Sequence, residues 1–161
     1  MEQQKIDMYI MTNQKYFPEE ELIAYAQQEA EKSGGSVTMT EKIEDVTGAD
    51  VIYTDVWVSM GEPAYVWQER IKDLTPYKVT KEVMQLAGEH AIFMHCLPAF
   101  HDLKTQTAQG VYEKFGITDM EVTDEVFESS QSVVFDEAEN RMHTIKAVIL
   151  ATMKKDLEVL K

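Results

Sequence analysis

Cysteine is almost missing from this chain: Cys96 is the only one in 161 residues. An internal disulfide is therefore excluded, and the composition suits a reducing compartment. Long apolar runs are also missing. No stretch approaches the roughly eighteen consecutive apolar residues that a membrane-spanning helix needs. Positive charge is scarce, with 15 Lys and Arg against 29 Asp and Glu and a formal net charge of −14. That balance argues against nucleic acid as a partner, because such binding depends on a basic footprint. It fits a cationic small-molecule ligand, although a solvated acidic face explains most of it. Phosphate loops are absent as well: there is no G-x-G-x-x-G and no Walker pattern. Gly34-Gly35 follows a helical pattern, the wrong side for phosphate. Met1–Lys5 has no basic region followed by an apolar one, which sets the expectation of no signal peptide and a cytoplasmic location. No repeat, low-complexity tract or Pro/Gly/Ser-rich linker divides the chain, so one domain is expected.

What is present is an alternation of strand and helix patterns. Ile6, Met8 and Ile10 predict a first strand over about 6–12. Pro18, with Glu19, Glu20 and Glu21 behind it, predicts a helix start that runs to Gly34-Gly35. Strands are expected at 36–40 and 51–54, with a short helical segment between them over 41–47. Helices are expected at 63–74 and 80–87, the second capped by Thr80. The apolar run Ala91–Met94 predicts a buried strand ending at Leu97, because Pro98 cannot donate to a ladder. A helix over 103–115, a loop at Gly116–Asp119, a short strand at Ser132–Phe135 and a long helix from about Glu137 complete the pattern. The fold class this implies is α/β: a doubly wound, Rossmann-like parallel sheet with helices on both faces.

Three stretches, each just after an expected strand, could carry chemistry. In the first, Asp55-Val56-Trp57-Val58-Ser59-Met60-Gly61-Glu62, an aspartate leaving a buried strand is costly to bury unpaired. It faces a cleft or a cationic partner, or else simply caps the following turn; Ser59-Met60-Gly61 can offer a hydroxyl and backbone groups. In the second, His95-Cys96-Leu97-Pro98, the thiol sits where open α/β sheets collect ligands. It could also be a small buried hydrophobe. A nucleophilic thiol wants a base, for which His95, His101 and His143 are candidates. Adjacent strand residues point to opposite faces, however, so His95 and Cys96 are not expected to act as a pair. No further ligand stands at a spacing that would make Cys96 part of a zinc site. The third stretch, Asp136 to Arg141, places a guanidinium near a strand-to-helix junction. There it is either salt-bridged on the surface or suited to hold a carbonyl or phosphate oxygen.

Taken together, Asp55–Glu62, His95–His101, Met120–Glu128 and Glu139–Ala147 resemble the ornithine carbamoyltransferase family, in that order and over nearly the whole chain. The resemblance implies transfer of a carbamoyl group from carbamoyl phosphate to the side-chain amine of L-ornithine, giving citrulline and phosphate in arginine metabolism without metal or organic cofactor. The Ser59-Met60-Gly61 loop points to ornithine rather than putrescine or aspartate. By motif, Asp55, Ser59 and Met60 would hold the amino acid. Cys96 with Asp55 would lie by the reactive amine, and the Leu97 backbone with Arg141 would hold the carbamoyl oxygen.

Only the second, ornithine-binding half of that family is matched over residues 1–161. The Ser-x-Arg-Thr and His-Pro-x-Gln motifs of the carbamoyl-phosphate half have no counterpart. The strand and Gly-Asp-Gly-type turn that open the family's second domain have none either. The expectation is an incomplete sheet, no activity from this chain alone, and self-association through open strand edges and the apolar residues Ile145, Val148, Ile149 and Met153, giving a homo-oligomer. Carbamoyl phosphate would bind only with the missing domain, and neither nucleic acid nor membrane is an expected partner. The alternative is a non-catalytic ornithine-binding or structural fragment.

Overall fold

Met8 and Ile10 lie on β1 (Asp7–Met11), which pairs in parallel with β2 (Ser36–Thr40), Met8 opposite Val37 and Ile10 opposite Met39. Between them runs α1 (Glu20–Ser33), with Glu20 and Glu21 in its first turn and Gly34 closing it at φ +77°. The turn into β2 needs glycine for a second reason, since a Cβ on Gly35 would fall 2.1 Å from the Ile6 carbonyl oxygen. The computed structural model describes residues 5–59 and 61–153.

A single turn of tighter helix at Ile43–Val46 leads to β3 (Val51–Thr54), which pairs in parallel with β4 (Ile92–His95). Helices α2 (Ala64–Leu74) and α3 (Lys81–Ala87) lie between these two strands in sequence. After β4 come α4 (Gln106–Phe115), α5 (Asp124–Phe127) and α6 (Val134–Met153). Thr105 caps α4, its hydroxyl accepting from the Ala108 N–H at 3.1 Å. The expected cap at Thr80 occupies the right position but works differently, because its hydroxyl donates to Glu82 at 2.7 Å instead of accepting from the helix.

Phe93, fully buried in the middle of β4, packs with Ile52, Val83, Met84, Val122, Phe127 and Val134 in one core. A second core gathers Trp57, Val58, Val111 and Met120 under Trp67 and Phe100. The architecture is thus mixed α/β with parallel strands, as the alternation implies, and the sheet is incomplete as expected: its strands form two separate two-stranded sheets, β1–β2 and β3–β4.

Two of the differences from the expected pattern are at β4 and at 132–135, and a third is an added helix. β4 stops at His95, two residues before the expected end, because the His95 N–H donates to the Glu137 carboxylate at 3.1 Å and the His95 ring turns back to the Cys96 carbonyl. The expected strand at 132–135 reduces to one parallel bridge, Ser132 to Phe93, and α6 starts at Val134. Finally, α5 has no counterpart among the expected helices; a single turn is too short to show a 3.6-residue period.

Candidate functional site

The carboxyl ends of β3 and β4 bring the first two candidate stretches together. Asp55 leaves β3 and Cys96 leaves β4, and the Cys96 thiol donates to Asp55 Oδ1 across 2.9 Å. The same oxygen accepts the Val56 N–H at 2.7 Å, so the carboxylate is held by its own backbone as well as by the thiol. Burial, followed by the hydrogen bond to Asp55 and the negative charges of Asp55, Glu137 and Glu121, pushes the Cys96 thiol up to about 11. The sulfur is therefore a protonated donor at neutral pH. Alkylation by iodoacetamide should be slow at pH 8, where roughly one thiol in a thousand is ionised, and the rate should rise with a midpoint near 11 instead of the ordinary value near 8.5. A midpoint below 9 contradicts the Asp55 contact.

Behind Cys96, His95 points the other way, as alternation along a strand requires. It is fully buried, with Nε2 3.1 Å from Oε1 of the equally buried Glu121 and Nδ1 bonded to the Cys96 carbonyl. A carbonyl and an ionised carboxylate can only accept, so these two contacts favour the ring with a proton on each nitrogen. Burial opposes that charge, but the Glu121 and Cys96 contacts outweigh it and raise the pKa above the ordinary 6.5. Glu121 Oε1 also accepts the Phe100 N–H at 2.7 Å, tying the 96–100 segment to the strand behind it.

Glu137, in the first turn of α6, completes the acidic surround of Cys96. Burial and the same carboxylate raise the pKa of the Tyr53 phenol. On the other side of Asp55 lies a cavity of about 380 Å³ walled by Met11, Thr12, Tyr16, Trp57 and Arg70. Arg70 Nη1 donates to the Trp57 carbonyl at 2.9 Å and pairs with Glu62 at 3.2 Å, clamping both ends of the loop that carries Ser59.

Of the candidate residues, Asp55 and Cys96 are in contact, Ser59 and Leu97 are exposed, and Met60 lies outside the described residues. Arg141 is exposed on α6, four residues and so about one turn beyond Glu137 on the same face. No hydrogen bond or ion pair among the described residues engages it, so the surface salt bridge considered for it does not form there. Glu121, Glu137 and Arg70 were not singled out from sequence as site residues. Glu121 alone carried a readable signal, an acidic residue between the buried Met120 and Val122. His101, Asp124 and Glu128 bring one nitrogen and two carboxylates within 4.8 Å of one another. The 2.7 Å His101–Asp124 bond and the stacking of the His101 ring on Phe127 explain that grouping without an ion.

The family model described as aspartate/ornithine carbamoyltransferase, Asp/Orn-binding domain, matches residues 1–152. The chain belongs to this family. It is 63% identical over 138 residues to the catabolic ornithine carbamoyltransferase of Treponema denticola, covering 85% of this chain and 41% of that enzyme. It is 52% identical over 150 residues to an ornithine carbamoyltransferase of Staphylococcus aureus, covering 92% of this chain and 45% of that one. Among solved structures, the ornithine carbamoyltransferase of Pyrococcus furiosus superposes with a TM-score of 0.73 at 41% identity over 89% of this chain and 41% of its own. The chain therefore spans less than half the length of each of these relatives.

Proposed function

We propose that this chain is the ornithine-binding half of an ornithine carbamoyltransferase, active only together with a carbamoyl-phosphate-binding half. The observation that carries the reading is the negative field around Cys96. Asp55, Glu137 and Glu121 all act on the sulfur, and a protonated thiol donates to Asp55. A site of that sign attracts the side-chain ammonium of L-ornithine, and the exposed Ser59 and neighbouring Met60 belong to the loop that would grip the amino-acid end.

The amine attacks only when neutral, so the carboxylate must orient it without fixing it as ammonium. Asp55 is suited to that because the Val56 N–H and the Cys96 thiol already share its Oδ1. In the reaction the amine nitrogen bonds to the carbamoyl carbon and the carbon–oxygen bond to phosphate breaks. The electron pair leaves with phosphate, and the nitrogen loses one proton. Negative charge gathers on the carbonyl oxygen in between. Arg141 and the Leu97 backbone are the groups placed in this reading to receive it, stabilising the transition state more than the substrate. No metal or cofactor takes part. The unpaired Cys96 favours a cytoplasmic setting.

The test is citrulline formation from L-ornithine and carbamoyl phosphate when the unmatched part of the Treponema denticola enzyme is added as a separate polypeptide. Citrulline should appear only with both polypeptides present. The exposed stripe of Ile145, Val148, Ile149 and Met153 on α6 favours the second reading, a self-associating fragment without activity. Ornithine binding without citrulline in the mixture would select it.

A further inference from the structure

We infer that Tyr16 and Asp73 are positioning residues for the loop that carries Ser59, acting on it through helix α2. Sequence spacing puts Glu69, Arg70 and Asp73 on one face of that helix, since residues three and four apart are neighbours. The face is bonded in two directions. Towards β1, the Tyr16 hydroxyl donates to Asp73 Oδ2 at 3.0 Å, and Lys15 pairs with Asp73 at 3.3 Å and with Glu69. Towards β3, Arg70 Nη1 donates to the Trp57 carbonyl at 2.9 Å and lies 3.2 Å from Glu62 Oε2. Three residues of α2 thus join the segment that leaves β1 to the segment that leaves β3, while β1 and β3 belong to different sheets.

The links differ in strength. The Lys15 and Glu69 side chains are about half exposed, and an exposed ion pair contributes little. Tyr16 and Asp73 are half-buried, and their contact is a hydrogen bond to a charged acceptor, a stronger class. It also stands close to the candidate site, because Tyr16 and Arg70 line the same 380 Å³ cavity as Asp55. Within the loop, the Glu62 N–H donates to the Ser59 carbonyl at 3.3 Å, a long bond that holds Ser59 weakly. Ser59 therefore depends on Arg70 at both flanks of the loop, and Arg70 is only as fixed as the helix that carries it. Asp73 lies three residues from Arg70, less than one turn away. Breaking the Tyr16–Asp73 bond frees α2 and displaces Ser59 without altering the loop itself. The consequence for ornithine rests on the function proposed above; the link from Tyr16 to Ser59 rests on geometry alone.

The experiment is amide NMR of the 161-residue chain without ligand, with ornithine calorimetry on the same variants. Tyr16→Phe keeps the ring and removes only the hydroxyl. It should shift the Val58 and Ser59 amide signals and leave Val83 and Phe93, in the other core, unchanged, which also reports that the variant is folded. Asp73→Asn keeps an acceptor for Tyr16 and should leave Ser59 in place, whereas Asp73→Leu should move it as Tyr16→Phe does. Glu69→Gln, which cuts only the exposed pair, should not move it. In an Arg70→Lys background Tyr16→Phe should move Ser59 no further, because an ammonium does not span the Trp57 carbonyl and Glu62 and the link is already cut. Ornithine affinity should fall about threefold to tenfold in Tyr16→Phe and be kept in Asp73→Asn. The inference is overturned if Tyr16→Phe leaves Ser59 unmoved, or moves it equally in the Arg70→Lys background. It is also overturned if Ser59 moves while the ornithine affinity of the unaltered chain is retained. No ornithine binding by the unaltered chain would contradict the proposed function instead, and the Arg70 comparison would still decide the link.

Discussion

Glu121→Ala is expected to destabilise the chain by about 3–5 kcal/mol, the range found when one member of a buried ion pair is removed. Such a loss is a large fraction of the 5–15 kcal/mol that holds a typical domain together. The cause is specific: His95 and Glu121 are both fully buried, and without the carboxylate the buried ring loses the acceptor 3.1 Å from its Nε2. The pH dependence separates this from a simple packing defect. His95 has a raised pKa in the folded chain, so the native state binds more protons than the unfolded one above the ordinary 6.5. Its contribution is complete below that value and is lost as pH rises through the raised one. In Glu121→Gln, burial acts on His95 without the opposing carboxylate, and the slope should reverse, with stability falling as pH drops below about 6.5. Urea unfolding midpoints between pH 5 and 9 for the two proteins check this. Parallel profiles would show that the pair carries no charge.

The second large effect concerns ligand binding. Asp55→Asn should weaken L-ornithine binding roughly 100-fold, within the range for loss of one partner of a desolvated charge contact. The substitution keeps the shape and the hydrogen bond to Val56 but removes the charge that faces the ammonium. Glu62→Gln, a change of equal size at a carboxylate paired with Arg70, should have little effect on affinity by comparison, since its charge is already matched. Equal losses in the two variants would mean that the effect is overall charge and not the Asp55 contact.

Much of this was legible in the sequence because the signals were local. The strands at 36–40 and 51–54 are continuous runs of β-formers, and Gly34 marks the end of α1 as only a positive-φ residue can. Asp55 and Cys96 were readable as ends of strands without knowledge of the contact between them. What could not be read were interactions that one segment makes with another. β4 ends at His95 because Glu137, forty-two residues later, takes its N–H. The short run at 132–135 is bridge and helix instead of strand because only Ser132 reaches Phe93 before α6 begins. The Glu121–His95 pair is a polar contact inside an apolar context, and the sequence pattern reports its burial but not its partner. The division into two sheets agrees with the incomplete sheet that the resemblance implied, and no local pattern of the strands themselves encodes it.

The proposal that this chain holds the amino-acid substrate is tested most directly by titration calorimetry with L-ornithine, first on the 161-residue chain and then on Asp55→Asn. Saturable binding at millimolar concentration or tighter, lost in the variant, is the predicted result. No heat with the unaltered chain, or the same heat from both proteins, would contradict the assignment of ornithine to the Asp55–Cys96 site.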